Sequence, residues 1–141
     1  MVVRFYDSID DELIKFAVII SRSNGKWVFC KHRDRMTLEV PGGHRERGET
    51  ADEAAERELI EETGAIDFTI TPICVYSVVK TEKFEESYGM LYYAEINSFK
   101  SELHSEIESI HLIDDLPDNW TYPLIQPELI REAMRRKVFD I

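Results

Sequence analysis

The chain has 141 residues, 43% of them hydrophobic and 11% aromatic, which suits one globular domain and excludes a disordered segment. Its formal net charge of −11 disfavours a broad grip on DNA or long RNA, which needs Lys and Arg in excess. A small anionic substrate stays open, because bound divalent cations reverse the local sign of charge.

No apolar run approaches the roughly 20 residues of a membrane span, and the opening MVVRFYDSIDDELIKF is too charged for a signal peptide. The two cysteines, Cys30 and Cys74, sit in apolar strand-like contexts. They read as free buried thiols of a cytoplasmic protein. Neither a repeat nor a linker interrupts the chain, so residues 1–141 are expected to form a single domain.

In chain order, LIKFAVIISRSNGKWVFCKHRD predicts a hairpin turning at Asn24-Gly25, which supplies the positive φ a tight turn needs. LEVPGG predicts a short strand ended by Pro41, Gly42 and Gly43. Residues 51–63 predict a helix, with a Thr50/Glu53 capping box before it and Gly64 as C-cap. FTITPICVYSVVK is β-branched and aromatic, hence a strand, with Pro72 marking an edge or a bulge. YGMLYYAEI and IESIHLI predict two more strands. A helix starts near Pro127, with Leu129, Ile130, Ala133 and Met134 at helical spacing. Strands outnumber helices, so the expected class is α+β, a mixed-sheet sandwich.

The helix over 51–63 carries the chemistry. Glu58, Glu61 and Glu62 are spaced i, i+3, i+4 on one face. At about 100° per residue, Ala51, Ala54 and Ala55 share that face, while Asp52, Glu53 and Glu56 fall mostly opposite. A solvated acidic face would separate the charges from the small apolar residues. The pattern predicts three carboxylates aimed into a crevice, where they need cations. Hard divalent ions with oxygen ligands answer that need, Mg²⁺ first, with a second ion about 4 Å away. Gly42 and Gly43 allow a ligand or metal close to the backbone. Arg57 is expected to pair with Glu61 or Glu49.

Gly43, five residues, Glu49, seven residues, then RELIEETGA resembles the box of the Nudix hydrolases, carried here by Gly43, Glu49, Arg57, Glu58, Leu59, Glu61, Glu62, Gly64 and Ala65. Ala65 departs from the bulky aliphatic residue usual at that position, and Ile66 follows it. The resemblance implies an α/β/α sandwich around a mixed curved β-sheet. It implies a hydrolase, MutT-like, that splits a nucleoside diphosphate linked to another moiety with Mg²⁺ or Mn²⁺. Glu61 and Glu62 would ligate metal, Glu58 would ligate metal or position water, and Arg57 with Glu49 would orient the catalytic glutamate. The Gly43 or Gly42 carbonyl would complete a metal shell. The family often adds a Glu from a later loop, and Glu106 is favoured over Glu102 and Glu108.

For the substrate, Lys31, His32, Arg33 and Arg35 are candidate phosphate-holding cations. Phe84, Tyr88, Trp120 and Tyr122 are candidate base-stacking residues, with Tyr88 and Tyr122 preferred. The expected substrate is a (d)NTP, released as NMP and pyrophosphate. Nucleotide sugars or dinucleotides are the alternative, and a catalytically silent nucleotide-binding module is another. Thr121 stands where the triphosphate subgroup has an Asn that reads guanine, with Asn119 two residues earlier, which speaks against oxidised-guanine specificity. His44, His104 and His111 are assigned to surface or core, since Mg²⁺ favours oxygen.

Overall fold

The alternation of the central strands decides the architecture. In the computed structural model, which describes residues 1–102 and 106–139, the elements run β1 (Val2–Tyr6), a 3₁₀ turn (Asp11–Leu13), β2 (Ile14–Ser23), β3 (Lys26–His32), β4 (Gly42–His44), α1 (Ala51–Thr63), β5 (Ala65–Lys80), β6 (Glu85–Phe99), β7 (Ile107–Ile113) and α2 (Gln126–Arg135). His104 lies outside the described residues.

One mixed sheet has the order β1-β5-β6-β2-β3-β7, with β4 added to β2. The β2–β6 pair is parallel and the other pairs are antiparallel. Ala17 and Ile19 of β2, Val28 of β3, and Tyr92, Ala94 and Ile96 of β6 pack with Ala54, Ala55 and Leu59 of α1. Their neighbours in sequence, Ile20, Trp27, Phe29 and Leu91, pack with Leu129, Ile130 and Ala133 of α2. Side chains two apart share a face of a strand, so the two helices cover opposite faces of the sheet. This is the expected α/β/α sandwich, and the sheet does not close on itself.

Asn24 and Gly25 turn the β2–β3 hairpin with φ of 50° and 76°. Pro72 marks a bulge, where the β5–β6 register slips between Pro72 and Cys74, in a stretch of β5 that β1, paired only with Val75–Val79, does not cover. Cys30 and Cys74 are free and buried.

One expectation needs correction. The strand predicted over LEVPGG is broken into pieces: Glu39 bridges Cys30, Leu38 bridges Trp120, and the regular pairing with β2 starts only at Gly42. Pro41 has no N–H to donate, and only its carbonyl bonds the sheet, to Ile19 N at 2.9 Å. The strand β1 was not anticipated, because Arg4 and Asp7 obscure the half-buried Val3 and Phe5.

Candidate active site

Helix α1 is fixed at both ends. Thr50 and Glu53 form a reciprocal capping box, and Gly64 closes the helix in the left-handed region at φ 72°, its N–H reaching Ile60 O. Ala54, Ala55 and Leu59 are fully buried against β2. Truncating Leu59 to Ala would cost about 2–5 kcal/mol. The opposite edge of that seat carries the glutamates.

Those glutamates are not equally placed. The Glu62 side chain is 7% exposed and the Glu58 side chain 13%, whereas Glu61 is 54% exposed. The expectation of three inward carboxylates is corrected for Glu61. It lies at the margin of the apolar arc, about 60° from Glu58 and 100° from Glu62 by helix geometry. Glu62 Oε1 accepts from Gly42 N at 2.7 Å. A β-carbon on Gly43 would stand 2.5 Å from Glu58 Oε1, and one on Gly42 would stand 2.7 Å from the Ala17 carbonyl. The two glycines are thus demanded by close approach, not by unusual dihedrals.

Arg57 organises the loop and the helix together. Its Nε and Nη2 donate to the two oxygens of Glu49, at 2.6 and 3.0 Å. Nη2 also reaches His44 O at 3.0 Å, and Nη1 meets Glu58 Oε1 at 2.8 Å and Glu61 Oε2 at 3.5 Å. Both expected partners are therefore engaged at once. The Arg57 bonds hold the Glu49 carboxyl down at about 2, helped by the Glu46 N–H. Burial pushes Glu58 up despite Arg57. Burial, and then Glu58, Glu39 and Glu106, push Glu62 up to about 8 against the pull of the Gly42 N–H. So much uncompensated negative charge fits a site for divalent cations.

Glu106 joins this cluster, and so does His32, whose place beside the glutamates the sequence did not disclose. Single ligand atoms of His32, Glu62 and Glu106 lie within 4.8 Å of one another. His32 Nε2 is 3.3 Å from Glu39 Oε2 and 3.5 Å from Glu62 Oε2.

A cavity of about 370 Å³ opens beside the cluster on the α2 face. Gly42, Gly43 and Glu39 form its acidic end, Val18, Val40, Tyr76 and Leu129 its apolar wall, and Tyr122 its rim. Phe16 and His44 pack ring to ring in it, with centroids 4.6 Å apart. Gln126 also lines it; its Oε1 is fixed by Val40 N at 2.9 Å.

A family model described as the NUDIX domain matches residues 12–132 of this chain. The chain belongs to the Nudix family. Against curated proteins it is 36% identical over 106 residues to one from Bacillus subtilis named "Putative 8-oxo-dGTP diphosphatase YtkD". That match covers 74% of this chain and spans 65% of the relative's length. Among solved structures, a mutant of the Bacillus subtilis pyrophosphohydrolase BsRppH superposes with a TM-score of 0.79 at 25% identity, over 98% of this chain and 93% of that one. A NUDIX hydrolase from Nitrosomonas europaea superposes with a TM-score of 0.69 at 19% identity, over 91% and 97%, which speaks for the fold.

Within the Nudix frame, the candidate substrate residues divide. Tyr122 and Arg35 meet at the cavity rim, the guanidinium 6.0 Å from the ring, with Arg35 also 2.8 Å from Glu39. Tyr88 sits on the other face of the sheet, beside Tyr6 and the cluster under Ala51, because strand alternation sends only its neighbour Ser87 to the cavity. Its expected stacking role is corrected accordingly. The Lys31 ammonium is taken by Glu108. Arg33 is tied through its backbone N–H to Glu106 O at 3.0 Å. Trp120 packs edge-on against Phe29 in the core, and Phe84 stands exposed in the β5–β6 turn. Thr121 bonds Thr37, and Asn119 bonds Met36 O. His111 bonds Ser109 at the surface of β7.

Proposed function

We propose that this protein is a divalent-cation-dependent pyrophosphohydrolase that splits a (d)NTP into NMP and pyrophosphate. One observation carries the reading. The same two glycines, Gly42 and Gly43, border the open apolar cavity and touch the carboxylates of Glu62 and Glu58. A nucleoside in the cavity therefore directs its phosphates to the acidic cluster. The names of the B. subtilis relatives, a diphosphatase and a pyrophosphohydrolase, support the reaction class. Among the described residues, no helix is long and apolar enough to cross a membrane.

Glu58, Glu61, Glu62 and Glu106 would hold Mg²⁺ or Mn²⁺, with the Gly43 carbonyl beside them. Bound there, such ions neutralise phosphate oxygens and acidify water. Arg57 fixes the Glu58 carboxylate, which is then placed to take the proton of an attacking water. The cavity walls orient the nucleoside so that attack runs in line with the leaving phosphate. Arg35, set against the Tyr122 ring, would offer a cation to an entering phosphate chain.

The test is a panel of (d)NTPs, dinucleotides and nucleotide sugars with Mg²⁺ or Mn²⁺, with products separated by chromatography. NMP and pyrophosphate from triphosphates are expected. Turnover confined to nucleotide sugars or dinucleotides would replace the triphosphate reading.

A further inference from the structure

The end of β3 carries a register slip beside the acidic cluster. Lys31 pairs with Ser109 of β7, but the next residue, His32, pairs with Ile107, so the register slips by one residue there. Bulges re-aim side chains, often beside active sites. Just past the bulge, the Arg33 N–H bonds the Glu106 carbonyl at 3.0 Å, which ties Glu106 to the strand that carries His32.

The result is a nitrogen among oxygens. Glu62 is 5% exposed, its Oε1 fixed by the Gly42 N–H, and its Oε2 turned to His32 Nε2 at 3.5 Å. Among the described residues, Glu62 has no Lys or Arg at ion-pair distance; its partner is His32. The 3.5 Å from His32 Nε2 to Glu62 Oε2 is long for a hydrogen bond, and the ligand atoms of His32, Glu62 and Glu106 all lie within 4.8 Å of one another. An octahedral ion with bonds of about 2.1 Å places neighbouring ligand atoms about 3.0 Å apart and opposite ones about 4.2 Å apart. A small inward adjustment meets that geometry.

We propose that His32 Nε2 is a metal ligand, forming with the carboxylates of Glu62 and Glu106 a mixed nitrogen–oxygen site that selects Mn²⁺ over Mg²⁺. Imidazole is a ligand for first-row transition ions, of which Mn²⁺ is held most weakly, whereas Mg²⁺ prefers an all-oxygen shell. This rests on the metal-dependent reading above, but it adds a ligand and an ion preference that the box glutamates do not imply. Glu39 Oε2 faces the same Nε2 at 3.3 Å, and its second oxygen is held by Arg35.

The experiment is pulsed electron paramagnetic resonance of Mn²⁺ bound to the whole protein, beside calorimetric titration with Mn²⁺ and with Mg²⁺. The wild type is expected to show the ¹⁴N modulation of a directly bound imidazole, converted by ¹⁵N-histidine labelling. His32→Gln removes that modulation, weakens Mn²⁺ about tenfold and changes Mg²⁺ by less than about twofold. His111→Gln retains the modulation. Bound Mn²⁺ without nitrogen coupling, or coupling that survives in His32→Gln, overturns the proposal and leaves the carboxylate site standing. No Mn²⁺ uptake at all overturns the metal reading itself. If His32→Gln does not fold, the labelled wild type and His32→Asn carry the same decision.

Discussion

The Glu58 carboxylate occupies the space a side chain at Gly43 would need: a β-carbon there falls 2.5 Å from Oε1, 2.6 Å from Cδ and 2.8 Å from Oε2. The strand and the acidic helix are locked in register by the absence of one methyl group. Gly43→Ala must push Glu58 aside while the capped, buried helix stays in place. The expected outcome is a fall in turnover of about 100-fold, the scale of a 1 Å misplacement, with circular dichroism unchanged. Steady-state kinetics on the purified variant checks it, and near-normal turnover would contradict it.

Arg57 and Glu49 should behave as one unit. Two guanidinium nitrogens meet two carboxylate oxygens, and a lysine cannot reproduce that fork. Arg57→Lys and Glu49→Gln are each expected to lower turnover by roughly 10- to 100-fold, and the double variant little further. Multiplicative losses in the double-mutant cycle would show that the two residues act separately.

Glu62 makes the metal-free protein sensitive to alkali. Burial raises its folded value to about 8, above an unfolded value of about 4.3. Its contribution is fully present below about pH 4.3 and is lost as pH rises through about 8. In chelator, the melting temperature of wild type relative to Glu62→Gln should therefore drop steadily between those limits. Parallel melting curves for the two proteins would contradict the assignment, and added Mn²⁺ should recover the wild type selectively.

On α2, Glu132 gives the opposite sign. The Arg135 and Arg136 side chains hold its carboxyl at about 2. That contribution is present above the unfolded value of about 4.3 and is lost as pH falls toward 2. Glu132→Gln should narrow the stability gap between pH 5 and pH 2 while leaving turnover at neutral pH unchanged. Thermal melts over that range decide it.

The acidic helix was readable because each of its signals is local. Thr50, Glu53 and Gly64 bound it, and the phase of Ala51, Ala54 and Ala55 against Glu58 and Glu62 points to the buried face. Phase alone placed Glu61 inside, since a helical wheel cannot show where the neighbouring strand ends. Gly42 and Gly43 carried a legible demand for closeness, but its object was legible only in the fold, from Ala17 and Glu58. His32 was hidden for a different reason. Its position depends on a register slip between β3 and β7, some 75 residues apart in the chain, and pairing register leaves no mark in composition. Tyr88 misled for the same cause: one step along β6 exchanges the cavity face for the α1 face.

The central claim is that the clustered glutamates exist to hold divalent cations for a polyphosphate. Calorimetric titration of Mn²⁺ into wild type and into a Glu58→Gln, Glu62→Gln double variant tests it most directly. Saturable uptake by the wild type below millimolar Mn²⁺, weakened at least about tenfold in the variant, is the predicted result. No uptake by the wild type at millimolar Mn²⁺, with or without a non-hydrolysable triphosphate, would contradict it.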